Sequence, residues 1–195
     1  MKKIAKRNLK VFFTFCVLAS TLSCEVSATI LPIIKAVETT NDKTWALEFT
    51  KGNNPMLRTP CSEVEIFDGK LGTFLDDRIE TMDANGGAGL AVNQVNRSIQ
   101  VFVVRFTAKG ASMEFINTTI THKEGEQECH EGCLSIPGYR VTITRPFRVK
   151  GYAFDRRGKK FSFDATGSKA NVICHEQEHS KGILNTDNAS KIEFD

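Results

Sequence analysis

Past its first few dozen residues this sequence has no run of 18 or more apolar residues, so its body holds no helix able to span a bilayer. It has no internal repeat and no low-complexity tract, which sets aside solenoids, arrays and long disordered segments. Histidine is scarce, four in 195 residues, and the single Trp, Trp45, sits in an irregular stretch and carries no information. A sustained excess of one charge is missing too. The formal charge of +3 comes from Lys2, Lys3, Lys6, Arg7 and Lys10. Without residues 1–28, five of 26 basic and one of 23 acidic residues are gone, and the 21 and 22 that remain give about −1. Nucleic-acid binding thereby loses its only support.

What is present starts with that N-terminus. A basic stretch precedes Val11–Leu22, which reads VFFTFCVLASTL without a charge, and Val26-Ser27-Ala28 offers a cleavage site. This is the layout of a secretory signal peptide over residues 1–28, with export to the periplasm or medium. Other readings stay open: a lipid anchor at Cys24, an uncleaved membrane anchor, or an organellar transit peptide. Residues 29–195 then form one domain, whose length and 41% apolar content suffice for a core.

Within the domain, residues 29–60 read as an extended arm and loops, with Pro32, Gly52, Pro55 and Pro60. From Asp68 to Ala84 the residues Leu71, Phe74, Leu75, Ile79 and Met82 recur at helical spacing, and Asn85-Gly86-Gly87 ends the helix. Strand signals follow at 99–106 and 113–120, residues 121–130 read as a polar loop, and Val141 and Ile143 alternate with Thr. Residues 149–155 and 159–165 flank Arg156-Arg157-Gly158 as a β-hairpin, its arginines a solvated turn. Ser168 is the expected N-cap of a last helix, to about Lys181, closed by Gly182. Helix, strands, then helix indicate an α+β domain. The Phe residues at alternating strand positions read as core, and His122 and His130 as surface groups in loops.

The sharpest signal is His175-Glu176-Gln177-Glu178-His179. Residues four apart share a helix face, so both imidazoles can reach one ion. Glu176, rotated about 100° from His175, can stand beside that ion and take a proton from a water. A catalytic site needs a third protein ligand and an open position. Downstream, Asn185 stands where one protease family has His, and Glu193 lies near what reads as a disordered end. Upstream, Cys133 sits in Glu131-Gly132-Cys133-Leu134-Ser135, read as a loop-to-strand segment. Cys133 as a thiolate ligand leaves at most one disulfide among Cys61, Cys129 and Cys174, with three free thiols the equal alternative.

Three segments in order resemble the peptide deformylase family, whose motifs are GxGLAAxQ, EGCLS and QHExDHLxG. This chain has Gly87-Ala88-Gly89-Leu90-Ala91-Val92-Asn93-Gln94, the complete EGCLS at 131–135, and Cys174-His175-Glu176-Gln177-Glu178-His179-Ser180-Lys181-Gly182. The resemblance implies antiparallel sheets packed around the C-terminal HExxH helix. It implies Cys133, His175 and His179 as ligands of one divalent ion, Fe(II) by family habit, although the same set suits zinc, nickel or cobalt. Glu176 would be general acid/base for a water attacking the formyl carbon, and Gln94 with the Leu134 N–H would stabilise the oxyanion. Gly87, Gly89, Glu131 and Gly132 would serve the substrate, with Glu131 and Arg145 as supporting groups. The implied partner is the N-formylmethionyl end of a peptide or nascent polypeptide, met by a monomer without stable membrane insertion.

Departures from the motifs fall at Val92, Cys174, Glu178 and Ser180, where the family has Ala, Gln, Asp and Leu. They leave open a deformylase homologue with weakened activity and a binding role. Another zinc amidase or metalloprotease built on the same helix is the remaining alternative.

Overall fold

A computed structural model describes residues 50–194. The expectations for the leader, Trp45 and residues 29–49 lie outside the described residues. None of the described helices is long and apolar enough to cross a membrane.

Helix α1 (Gly69–Ala84) begins where Asp68, in extended backbone, turns its carboxylate back to accept the Leu71 N–H at 3.0 Å. Its stripe of Leu71, Leu75 and Met82 is buried. It ends as expected: Gly86 takes φ +65° and the Gly87 N–H donates to the Met82 carbonyl at 3.0 Å.

Among the described residues, eight strands form two antiparallel sheets. The larger runs in the order β1 (Gly89–Ala91), β2 (Val101–Val104), β3 (Met113–Glu124), β6 (Arg148–Phe154), β7 (Lys160–Thr166). The smaller pairs β4 (Gln127–Cys133), β5 (Ile136–Arg145) and β8 (Lys191–Phe194). Strand β2 has no polar face because both its faces are covered. Val101 and Val103 join Leu71, Leu75 and Met82 of α1, whereas Phe102 and Val104 pack with Ala170, Ile173 and Cys174 of α2 (Ser168–Ser180) on the other side. Helix α2 is therefore laid on the sheet by one apolar stripe, leaving another face for chemistry.

Four local expectations are corrected. Residues 121–130 are not a loop: β3 continues to Glu124, turns at Gly125 (φ +65°) and returns as β4. Pairing of His122, Lys123 and Glu124 with β6 imposes the strand on residues whose polar side chains carry no alternation. His122 and His130 are thus strand residues, although both face solvent. The chain end is ordered as β8, with Tyr139 opposite Phe194. Gly167, not Ser168, is the N-cap of α2; its φ of +59° is one that Ser adopts only with strain. Arg156 is no solvated turn residue, because it pairs with Glu114 and with Asp76 and so ties the hairpin to α1. The β6–β7 hairpin itself forms as expected, with Asp155 Oδ1 accepting the Arg157 and Lys159 N–H groups at 2.9 Å each.

The four described cysteines are free, and Cys61, Cys129 and Cys174 are buried. Burial pushes the Cys61 and Cys174 thiols up to about 11 and raises Cys129 as well. In chelator-treated protein at pH 8, iodoacetamide is expected to label the partly exposed Cys133 well before these three, read by mass spectrometry; equal rates would contradict the packing. Phe102, fully buried and stacked on Phe115 at 4.9 Å, sets a second expectation. Phe102→Ala should cost about 3–5 kcal/mol in urea unfolding, and a loss below about 1 kcal/mol would mean the β2–α2 core is not formed as described.

Candidate metal centre

Two periodicities meet at the site. On α2, His175 and His179 stand one turn apart, with their rings 4.9 Å apart between centroids. On β4, alternation turns Cys129, Glu131 and Cys133 inward and Glu128, His130 and Gly132 outward. Cys133 closes β4 rather than opening a strand. It pairs with Ile136 across the two-residue turn Leu134-Ser135, so the EGC segment is strand followed by turn. Gln127, at the start of β4, donates from Nε2 to the Pro146 and Gly167 carbonyls at 3.1 and 2.9 Å, and so ties this strand to the start of α2.

The donor atoms of Cys133, His175 and His179 lie within 4.8 Å of one another. His179 Nε2 is 3.4 Å from Cys133 Sγ and 3.2 Å from His175 Nε2. A tetrahedral ion with sulfur and nitrogen ligands has edges of roughly 3.6 and 3.3 Å between such donors, so the residues fit one ion. Glu131 Oε2 holds the Nδ1–H of His175 at 2.8 Å, which turns Nε2 toward the cluster. Burial disfavours the charged ring, but hydrogen bonds to Cys133 and Glu131 outweigh it and hold His175 well above the usual imidazole range, so an ion would take the place of its Nε2 proton. Burial, reinforced by the neighbouring His175, holds His179 well below the usual imidazole range and therefore neutral, the form that binds metal. Nδ1 of His179 is buried without a partner; the residue is held from its backbone instead, where Asn93 Nδ2 donates to its carbonyl at 2.6 Å.

Glu131 is 4% exposed in its side chain, and Arg145, equally buried, binds it through Nε at 2.8 Å and Nη2 at 3.1 Å. Burial alone would raise the Glu131 carboxyl, but hydrogen bonds from His175 and then Arg145 outweigh it and hold the group down at about 2. Glu178, one methylene longer than the family's Asp, reaches Arg145 Nη1 at 2.6 Å.

Glu176 is buried and its Oε2 has no partner. Desolvation raises its carboxyl to about 7, against the opposing pull of His175. A Cβ at Gly89 would lie 2.5 Å from Glu176 Oε1, so the missing side chain there makes room for this carboxylate. At Gly87 a Cβ would press on Leu134 Cδ1 at 3.1 Å, whereas at Gly132 it would meet open space. Gln94 is buried; its Oε1 accepts the Ala91 N–H at 2.9 Å, which turns Nε2 toward Ser135 Oγ at 3.2 Å and Cys133 Sγ at 3.6 Å.

The structure brings Cys133, His175 and His179 together, with Gln94 in contact with Cys133, Glu131 with His175, Gly89 against Glu176 and Gly87 against Leu134. Gly132 faces open space, and the downstream alternatives lie elsewhere. Among the described residues no other His, Cys, Asp or Glu joins the donor group. Asn185 is buried apart from it and Glu193 pairs with Lys191 on β8. Cys129 packs with Val141 and Ile143, and Cys174 with the β2–α2 core, so neither fills a fourth position. Two members had no assigned role in the sequence: Asn93, clasping the His179 carbonyl, and Ser135, the hydroxyl under Gln94. Both sit inside quoted motifs, and that adjacency was their only signal.

Residues 46–195 match the family described as polypeptide deformylase. The chain is 43% identical over 145 residues to peptide deformylase 1 of Bacillus anthracis, a match covering 74% of this chain and 93% of that protein. It is 39% identical over 136 residues to peptide deformylase 1 of Bacillus subtilis, covering 70% and 85%. The crystal structure of a peptide deformylase from Legionella pneumophila superposes with a TM-score of 0.72 at 34% identity, over 74% of this chain and 86% of that one. With sequence and backbone agreeing over nearly the whole length of such relatives, this chain belongs to the polypeptide deformylase family.

Proposed function

We propose that this deformylase removes the formyl group from N-formylmethionyl peptides with Glu176 as the proton carrier and with Gln94 and the Leu134 N–H as the donors that hold the formyl oxygen. The observation that carries the reading is a buried carboxylate with a free oxygen beside three converging metal donors. The ion, held by Cys133, His175 and His179, supplies a Lewis acid and an open coordination position when bound.

The residues do the rest. Glu176 Oε2 takes a proton from the attacking water and delivers it to the departing amine nitrogen; a carboxyl near 7 is suited to both transfers at neutral pH. Gln94 is pre-oriented, because its oxygen is already engaged by Ala91 and only its N–H₂ can address the substrate. Gly89 admits Glu176 to its place. Gly87 and Gly132 border the substrate on the same reading, with Gly132 leaving open space at the strand end, whereas Glu131, buried and engaged by His175 and Arg145, supports the site without facing the substrate. Iron(II) is the proposed native ion, supported by family habit; the donor set accepts zinc, nickel and cobalt equally. The working unit is proposed to be a monomer.

Residues 1–28 are proposed to direct export, supported by the basic stretch and the uncharged Val11–Leu22 run. An exported deformylase meets formylated peptides that have left the ribosome, not nascent chains. Sequencing the N-terminus of the mature protein from each compartment decides this; an intact Met1 in the cytosol would refute it.

Formate release from a formyl-methionyl peptide tests the chemistry. Glu176→Ala should lower kcat by about 10²–10⁴-fold with the ion still bound. Equal release by both proteins, or none with iron, nickel or zinc, would overturn the assignment. Gly89→Ala, which displaces the Glu176 carboxylate, should lower kcat by about 10²-fold with metal content unchanged; an unaffected kcat would show that the carboxylate's position is unimportant.

A further inference from the structure

Glu178 departs from the family motif, is not a member of the donor cluster, and yet is joined to the site by an unbroken series of contacts. His175 Nδ1 meets Glu131 Oε2 at 2.8 Å, Glu131 Oε1 meets Arg145 Nε at 2.8 Å, and Arg145 Nη1 meets Glu178 Oε2 at 2.6 Å. His175 and Glu178 are three residues apart on α2 and share a side of it. The series therefore closes on itself, from α2 to β4, to β5 and back to α2. Cys133 lies two residues beyond Glu131 on β4, on the same inward face. Fixing Glu131 against α2 thus fixes the thiolate against both imidazoles.

We propose that Glu178 is a positioning residue for the metal: by closing this ring through Arg145 it holds the Cys133-bearing strand in register with the His-bearing helix, and so sets how slowly the ion leaves. The proposal rests on Cys133, His175 and His179 as the ligand set, and is independent of the substrate. Its physical basis is geometric. Arg145 is 3% exposed and presents a fork with two sides. Glu131 takes one side with two hydrogen bonds, and the Glu178 carboxylate meets the other as an ion pair. Without that carboxylate the Nη1 side loses its counter-charge, which favours a different side-chain placement for Arg145. Glu131 follows Arg145, and the ring orientation of His175 follows Glu131. The extra methylene of Glu relative to Asp does not keep the carboxylate from meeting Arg145.

The test uses the full chain loaded with cobalt(II), whose visible absorption reports a Cys/His/His environment, and follows loss of the ion to a chelator. Glu178→Gln keeps the size and removes the charge. Release should be about 10–100-fold faster, while kcat per bound ion stays within about twofold. Glu178→Asp should restore slow release. Arg145→Lys, which keeps the buried charge but loses the fork, should also release faster, and it serves if Glu178→Gln fails to fold. Wild-type release from Glu178→Gln, with only a lower melting temperature of the metal-free protein, would make the ion pair structural and overturn the proposal. Unchanged release with a lower kcat per ion would overturn it equally. A wild-type protein that takes up no cobalt would overturn the ligand set, and the proposal with it, whereas absence of formate release with normal cobalt uptake bears on the function alone.

Discussion

Withdrawing ionisable groups from water is the constraint on which this structure turns. Glu131, Arg145, Glu176 and His179 are all nearly inaccessible, and each buried charge carries a penalty of several kcal/mol unless a partner compensates it. The protein meets this unevenly. Glu131 and Arg145 compensate one another through two hydrogen bonds, and each has a further partner, His175 or Glu178. His179 sheds its charge. Glu176 alone has neither a cationic partner in contact nor hydrogen bonds to both oxygens, and its carboxyl rises to about 7 as a result. The group left uncompensated is the one whose proton must move, while those that must only orient are fully engaged.

The four motif departures can be judged by the same standard. Val92 is fully buried with Leu90 and Val95 under α1, where added bulk is absorbed in packing. Cys174 turns into the β2–α2 core beside Phe102 and Val104, and its raised thiol behaves there as a small apolar group. Ser180 bonds back to the Glu176 carbonyl, and its own carbonyl accepts the Cys61 N–H at 2.9 Å, so it serves the end of the helix. Glu178 keeps its ion pair. None of the four contributes an atom to the donor cluster, and the weakened-homologue alternative draws no support from where they sit.

Legibility in the sequence followed whether a residue's neighbours were local. The stripe of α1 was readable because periodicity reports which face is covered, and the uninterrupted VFVV of β2 because β-branched and aromatic residues cluster there. The His175–His179 pair was readable from its helical spacing. The stretch 121–130 was not, because strand formation there comes from pairing with β6, which lies farther along the chain, and with β5 across the Leu134-Ser135 turn, and polar side chains without alternation announce neither. β8 was missed likewise: four residues, all exposed, whose strand state exists only by virtue of β5. Asn93 and Ser135 were silent because a buried polar residue advertises itself through its partner, not its spacing. Cys133 fell between these cases. Its chemistry marked it as a ligand, but only the motif resemblance connected it to a helix some forty residues away.

That connection explains why the site lies where it does. A strand repeats every second residue and a helix returns to the same face after three or four. Cys133 and Glu131 are one strand repeat apart, and His175 lies one helical step from both Glu178 and His179. A ligand and its support can therefore share each element without crowding. One contact between elements, Glu131 to His175, then aligns both ligand sets at once. The inward-facing Cys129 continues the same strand face but sits a further repeat away, and it packs against Val141 and Ile143 instead of reaching the cluster. Distance along the strand is what separates a ligand from a core thiol of identical chemistry.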